Sequence, residues 1–77
     1  MTDRTHAPLD DIDFGGDNLA TRARGVLQRS GCATLADAEA MVTVTSLFSQ
    51  RNCGWPTVRR IAQVMEHYGY RLRWGKA

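Results

Sequence analysis

Seventy-seven residues, with 10 Lys+Arg against 8 Asp+Glu, leave room for one domain around one small core and exclude a second domain. Cys32 and Cys53 are too few for a disulfide framework, and Met1-Thr2-Asp3-Arg4 lacks the basic-then-apolar run of a secretory signal. No stretch approaches the roughly 20 apolar residues of a membrane span, so the expectation is a cytoplasmic protein with reduced thiols and no membrane partner.

The net charge of +2 conceals two unlike parts. Residues 1–17 set Asp3, Asp10, Asp11, Asp13 and Asp17 against Arg4, whereas residues 18–77 set nine cations against Asp37, Glu39 and Glu66. Eight of those nine are arginine, with Lys76 the exception. Arginine suits planar, bidentate recognition of phosphate or carboxylate, and a GC-rich coding sequence produces the same bias.

In chain order, Met1 to Ala7 is polar and without periodicity, a disordered leader before a single domain over residues 8–77. Pro8 opens Leu9-Asp10-Asp11-Ile12-Asp13-Phe14, whose alternation predicts a short extended segment laying Ile12 and Phe14 on the domain. After Gly15-Gly16-Asp17, Asn18 is placed to cap a helix through Arg29, with Leu19, Ala23, Val26 and Leu27 on one face. Gly31 stands at its left-handed end, and Arg22, Arg24 and Arg29 fall on or near the wet side.

Thr34-Leu35-Ala36-Asp37 reads as a capping box with Asp in the place of Glu, opening a two-turn helix that buries Leu35, Ala38 and Met41. Thr43 or Thr45 caps a third, very short helix that buries Leu47, with Val44 and Phe48 nearby. Pro56 stands near the first position of the last helix, which buries Val58, Ile61, Ala62, Met65 and Tyr68 and stops at Gly69. The tail Tyr70-Arg71-Leu72-Arg73-Trp74 alternates again, as an extended strand with Tyr, Leu and Trp on one side. The predicted class is mainly α, a compact domain of four to five helices with a short extended N-terminal segment.

Asp11 and Asp13 mirror Arg71 and Arg73 about neighbouring apolar residues. Either both tails close the bottom of the core with their charges facing one another, or the acidic leader floats as an electrostatic competitor for the arginine face.

The run Arg51-Asn52-Cys53-Gly54-Trp55-Pro56-Thr57 carries the chemistry. It is a glycine turn opening onto a helix that bears Arg59 and Arg60, and free N–H groups at a helix start attract anions. Flanking arginines suit phosphate, of which nucleic acid is the polymeric source. The plain alternative is a turn that only reverses the chain. Trp55 beside it either stacks on a base or covers the edge of the core.

Taken in order, these elements resemble the C-terminal domain of the bacterial RNA polymerase α subunit, from Pro8 to about Leu72. The family opens with proline, an apolar residue and acidic residues alternating with apolar ones, as Pro8 to Phe14 does here. Leu19, Arg22 and Leu27 match its first helix, and Asn52-Cys53-Gly54 with Val58 and Ile61 match its hairpin and last helix. Extra residues fall around Gly15 to Asn18 and between Thr43 and Gln50, in connections that tolerate insertion.

The resemblance implies helix-hairpin-helix geometry and binding of A·T-rich double-stranded DNA across the minor groove, with contacts to transcription factors. Carried over by position, Arg22 would line the minor groove, the Gly54 backbone would approach a phosphate, and Thr57 stands where the family uses serine for the DNA backbone. Gly25 replaces a DNA-contacting asparagine, Trp55 and Pro56 replace two lysines, and Arg60 stands where an acidic residue is usual. Arg51, Arg59 and Arg60 would restore the charge, with Asn52 in the hairpin.

The assembly portion of an α subunit is not in these residues, so the expectation is a free-standing, non-catalytic transcription accessory protein of the bacterial cytoplasm or nucleoid, encoded by a phage or mobile element. The other reading keeps the fold for protein contacts: the basic face or Trp55 docks RNA polymerase, σ factor or an activator, without DNA. A third is a single-strand or RNA binder.

Metal and catalytic chemistry find no pattern. Cys32, Cys53, His67 and His6 have no Cys-x-x-Cys or His-x₃₋₅-His spacing, and Glu66 and His67 are adjacent on a helix and so do not face each other. Neither a cofactor nor an enzymatic activity is expected.

Overall fold

The computed structural model describes residues 6–50 and 53–75. The expected leader falls largely on residues 1–5, outside the described residues.

Helices α1, α2 and α3 each begin at a residue whose side chain satisfies a free backbone donor. Helix α1 (Asn18–Arg29) is capped by Asp17, whose Oδ1 accepts from the Ala20 N–H at 3.1 Å. The cap is thus one residue earlier than the predicted Asn18, and it adds a carboxylate at the positive end of the helix. Helix α2 (Leu35–Met41) has the predicted capping box: Thr34 Oγ1 accepts from Asp37 N–H while Asp37 Oδ2 accepts from Thr34 N–H, both at 3.2 Å. Helix α3 (Val44–Phe48) repeats the device with Thr43 and Ser46. Helix α4 (Trp55–His67) starts at Gly54 with Pro56 in its first turn. Gly31 and Gly69, with φ of 89° and 87°, follow the ends of α1 and α4.

The core lies between α1 and α4, the most extensively packed pair. Ala20, Ala23, Val26 and Leu27 face Thr57, Val58, Ile61, Val64 and Met65 across it, and Leu35, Ala38, Val44 and Leu47 close the sides. The short N-terminal segment adds Leu9, Ile12 and Phe14, all at most 2% exposed. Each such side chain contributes about 1.5–3 kcal/mol of transfer free energy, so a large share of a small core comes from a segment outside the main helices.

Several expectations are corrected in detail. The segment after Pro8 begins with a 3₁₀ turn at Leu9–Asp11 and only then extends, because the Asp11 and Ile12 N–H groups fold back onto Pro8 and Leu9 carbonyls. Met41 is 56% exposed; the buried face of α2 runs through Leu35 and Ala38 to Val42, at spacings of three and four. The buried face of α4 is likewise rotated to include Thr57 and Val64, leaving Ala62 and Tyr68 half-buried. Trp74 lies outside the core at 71% exposure, and the tail forms one isolated bridge, Arg73 with Thr43, with no strand among the described residues.

The two tails do not meet through their charges. The N-terminal segment attaches before α2, by Leu9 N–H to Ala33 O at 2.9 Å and a bridge from Pro8 to Thr34. The C-terminal tail attaches after α2, by Val44 N–H to Arg73 O at 2.7 Å and Thr45 N–H to Trp74 O at 3.0 Å. Roughly 10 Å of helix separates the two attachments. Arg73 donates to Ala40 O and the Arg71 backbone N–H to Glu39, and among the described residues no ion pair joins either arginine to Asp11 or Asp13.

Candidate functional site

The arginines divide by what their neighbours need. The N-terminal segment has no strand partner for its carbonyls, and buried carbonyls must find donors. Arg24, expected near the wet side, supplies two: Nε donates to Leu9 O at 3.1 Å and Nη2 to Ile12 O at 2.8 Å, with the guanidinium 5.2 Å from the Phe14 ring centroid. Arg60 does the same from α4. Its Nη1 donates to Phe14 O at 2.7 Å and to Asp17 Oδ1 at 2.9 Å, and Nη2 donates to Asp17 Oδ2 at 3.1 Å.

That bidentate pair holds the Asp17 carboxyl below its ordinary range and raises Arg60 further. Gly15, at φ 113°, passes directly under the Arg60 guanidinium, where a Cβ would collide. Arg60 therefore fastens the chain to itself, where it was expected to help restore charge on a DNA-binding face.

Thr57 is corrected too. At 1% exposure it lies within the α1–α4 core, so its hydroxyl is not presented to a DNA backbone. Arg51 and Asn52 lie outside the described residues. Gly54, the N-cap of α4, is exposed, and no side chain caps the helix there; Thr57 and Val58 N–H groups both turn back to its carbonyl at 3.1 and 3.2 Å.

What stays on the surface forms a more limited arrangement. Arg22 and Arg29 are exposed and seven residues apart, hence on one face of α1, with half-buried Gly25 between them. A Cβ at Gly25 would meet nothing within 4 Å, so the glycine leaves an open gap in the stripe. The stripe ends beside the turn into α4: Gln50 Nε2 donates to Ser30 Oγ, and the Arg29 charge partly offsets the rise that burial imposes on the Cys53 thiol. Arg59 is exposed in the second turn of α4. Arg29 was absent from the sequence-based site, although its spacing from Arg22 was the available signal.

Trp55 covers no core. At 48% exposure it stacks on Phe48, centroids 5.8 Å apart and planes 3° from parallel, and on Trp74 at 6.2 Å and 25°. These rings come from α3, α4 and the tail, so no local pattern announces them.

An open cleft of about 550 Å³ lies elsewhere, between the Gly15-Gly16 turn and α4, lined by Asp13, Asp17, Arg60, Gln63 and His67 among others. Its one cation is already bound to Asp17. Cys32 and Cys53 are both buried, and burial pushes both thiols up. Among the described residues no three His, Cys, Asp or Glu side chains gather in a way that would hold a metal ion, and no helix is long and apolar enough to cross a membrane.

No family model, curated protein or solved structure matches the chain.

Proposed function

We propose that this chain is a non-catalytic module that binds double-stranded DNA as an accessory to transcription, with α3, the turn at Gly54 and α4 serving as a helix-hairpin-helix element. The observation that carries the reading is the junction of the Arg22–Arg29 face of α1 with the turn into α4, held by the Gln50–Ser30 hydrogen bond. Two phosphate-seeking features, forked cations and a helix start without a side-chain cap, therefore meet at one edge.

In this mechanism Arg29, Arg59 and the Gly54 backbone contact phosphates, and Arg22 enters a minor groove whose negative potential is stronger in narrow A·T tracts. The site is smaller than the resemblance implies, because Arg60 and Thr57 are committed to the fold. Specificity is correspondingly modest, since phosphate contacts carry no base information and Gly25 offers no side chain to a base edge.

The test is a salt titration on A·T-rich and G·C-rich duplexes. Three phosphate contacts give a log–log slope of roughly −3, and Arg22→Ala weakens binding more on A·T-rich DNA. Gly25→Asn, for which the open gap leaves space, should tighten binding. Absence of binding at low salt, with the helical circular dichroism intact, discards the DNA reading in favour of docking on RNA polymerase, σ factor or an activator.

A further inference from the structure

The Phe48–Trp55–Trp74 stack is independent of the arginine stripe, and its three rings are 45%, 48% and 71% exposed. Trp55 is the ring common to both pairs, and Trp74 keeps much of its ring open to solvent. The surface is thus aromatic and largely exposed.

Its surroundings are positive. α3 contains no charged residue, the described tail contains only Arg71 and Arg73, and the first turns of α4 add Arg59, since Arg60 is paired with Asp17. Arg59 is exposed and four residues after Trp55, on the same face of α4. Glu66 lies roughly 16 Å further along that helix, and Glu39, the acid that the tail touches, accepts the Arg71 N–H at 2.8 Å.

We propose that the Phe48–Trp55–Trp74 surface docks an acidic amphipathic helix of a partner protein, its aliphatic side chains lying across the three rings and a carboxylate pairing with Arg59. The 5.8 and 6.2 Å ring spacings match the roughly 5–6 Å between side chains one turn apart on a helix, so successive apolar residues meet successive rings. A second copy of this chain is disfavoured, because it would bring like-charged rims together. Single-stranded nucleic acid, which would stack bases on the exposed Trp74 ring, is the occupant that the oligothymidylate titration separates.

Both tryptophans of the chain belong to the stack, so intrinsic fluorescence reads this surface alone. The probe is a synthetic helical peptide of about four turns with leucines along one face and Asp and Glu elsewhere, titrated into the full chain beside a twin in which Lys replaces the acids. The acidic peptide should saturate with a blue-shifted emission and bind at least about tenfold more tightly than its basic twin.

Trp74→Ala, at a side chain outside the core, should weaken that binding about tenfold without lowering the melting temperature, and Arg59→Glu should reverse the preference between the peptides. Equal affinity for the twins overturns the proposal. So does tighter saturation on oligothymidylate or on phosphatidylserine vesicles, or sedimentation that shows self-association abolished by Trp74→Ala. The inference stands apart from the DNA reading: Trp74→Ala should leave duplex binding intact, and Arg22→Ala should leave peptide binding intact.

Discussion

The two flanks of this domain treat their side chains in opposite ways. At the N-terminal flank, arginines turn inward onto the carbonyls of Leu9, Ile12 and Phe14. At the C-terminal flank, tryptophans turn outward. The difference follows from where each segment's backbone groups find partners. The tail lays its Arg73 and Trp74 carbonyls on the N–H groups of Val44 and Thr45 at the start of α3, with the Thr45 hydroxyl also donating to Trp74 O, so no guanidinium is drawn onto them and the indole is left outside. The leading segment is pinned before α2 at Pro8 and Leu9, and beyond that point guanidiniums donate to the Ile12 and Phe14 carbonyls. Residue type alone does not decide which side of a surface a group occupies; the unsatisfied backbone beside it does.

The sharpest way to break this contrast is to truncate an aromatic on each flank. Phe14→Ala should cost about 3–5 kcal/mol in urea unfolding, because the ring is 1% exposed and its cavity opens into the α4 side of the core. Trp74→Ala should cost less than about 1 kcal/mol, since a largely exposed indole loses little on truncation. Equal losses would mean that Trp74 closes the core as Tyr70 and Leu72 of the same tail do.

A smaller effect separates the arginines. Arg24→Ala removes the donor to the Ile12 carbonyl and one of two donors to that of Leu9 and should destabilise by about 1–3 kcal/mol, whereas Arg59→Ala should stay within about 0.5 kcal/mol. The same two variants should act in reverse order on duplex binding, with Arg59→Ala the more damaging. A guanidinium that serves both the fold and the ligand would remove the distinction.

The smallest effect is the pH dependence of the Asp17–Arg60 pair. The folded Asp17 carboxyl lies below its unfolded value, chiefly through the hydrogen bond from Arg60. Its contribution is therefore present above the unfolded carboxylate range and is lost as pH falls through the folded value. Solvent screens an exposed pair, so the melting temperature should fall only slightly from this source on acidification. Asp17→Asn, which keeps an N-cap acceptor, should flatten that part of the profile.

Much of the secondary structure was legible because its signals are local. The Thr34–Asp37 box, the Thr43 cap, Pro56 in the first turn of α4 and the glycines after α1 and α4 each act within a few residues. The errors came where a face had to be oriented. Met41 and Val42 are both apolar at the end of a two-turn helix, and the spacing from Leu35 admits either; packing selected Val42. Thr57 was carried over as a DNA contact from the position where the resembling family has serine, but it falls on the same α4 face as Ile61 and Val64 and is buried with them.

The candidate site was legible only in part. Arg22 and Arg24 differ by two positions and nothing in residue type separates them, yet one is exposed and the other is bound to the leading segment. The sequence by itself determined the helices, their ends and the imbalance of charge, because propensity, capping and composition operate over one or two turns. Only the tertiary structure decided which cations remain on the surface and that Phe48, Trp55 and Trp74 form one stack. Both outcomes depend on groups 7 to 46 residues apart being brought within hydrogen-bond or ring-stacking distance, and that is a property of the folded core rather than of any local run.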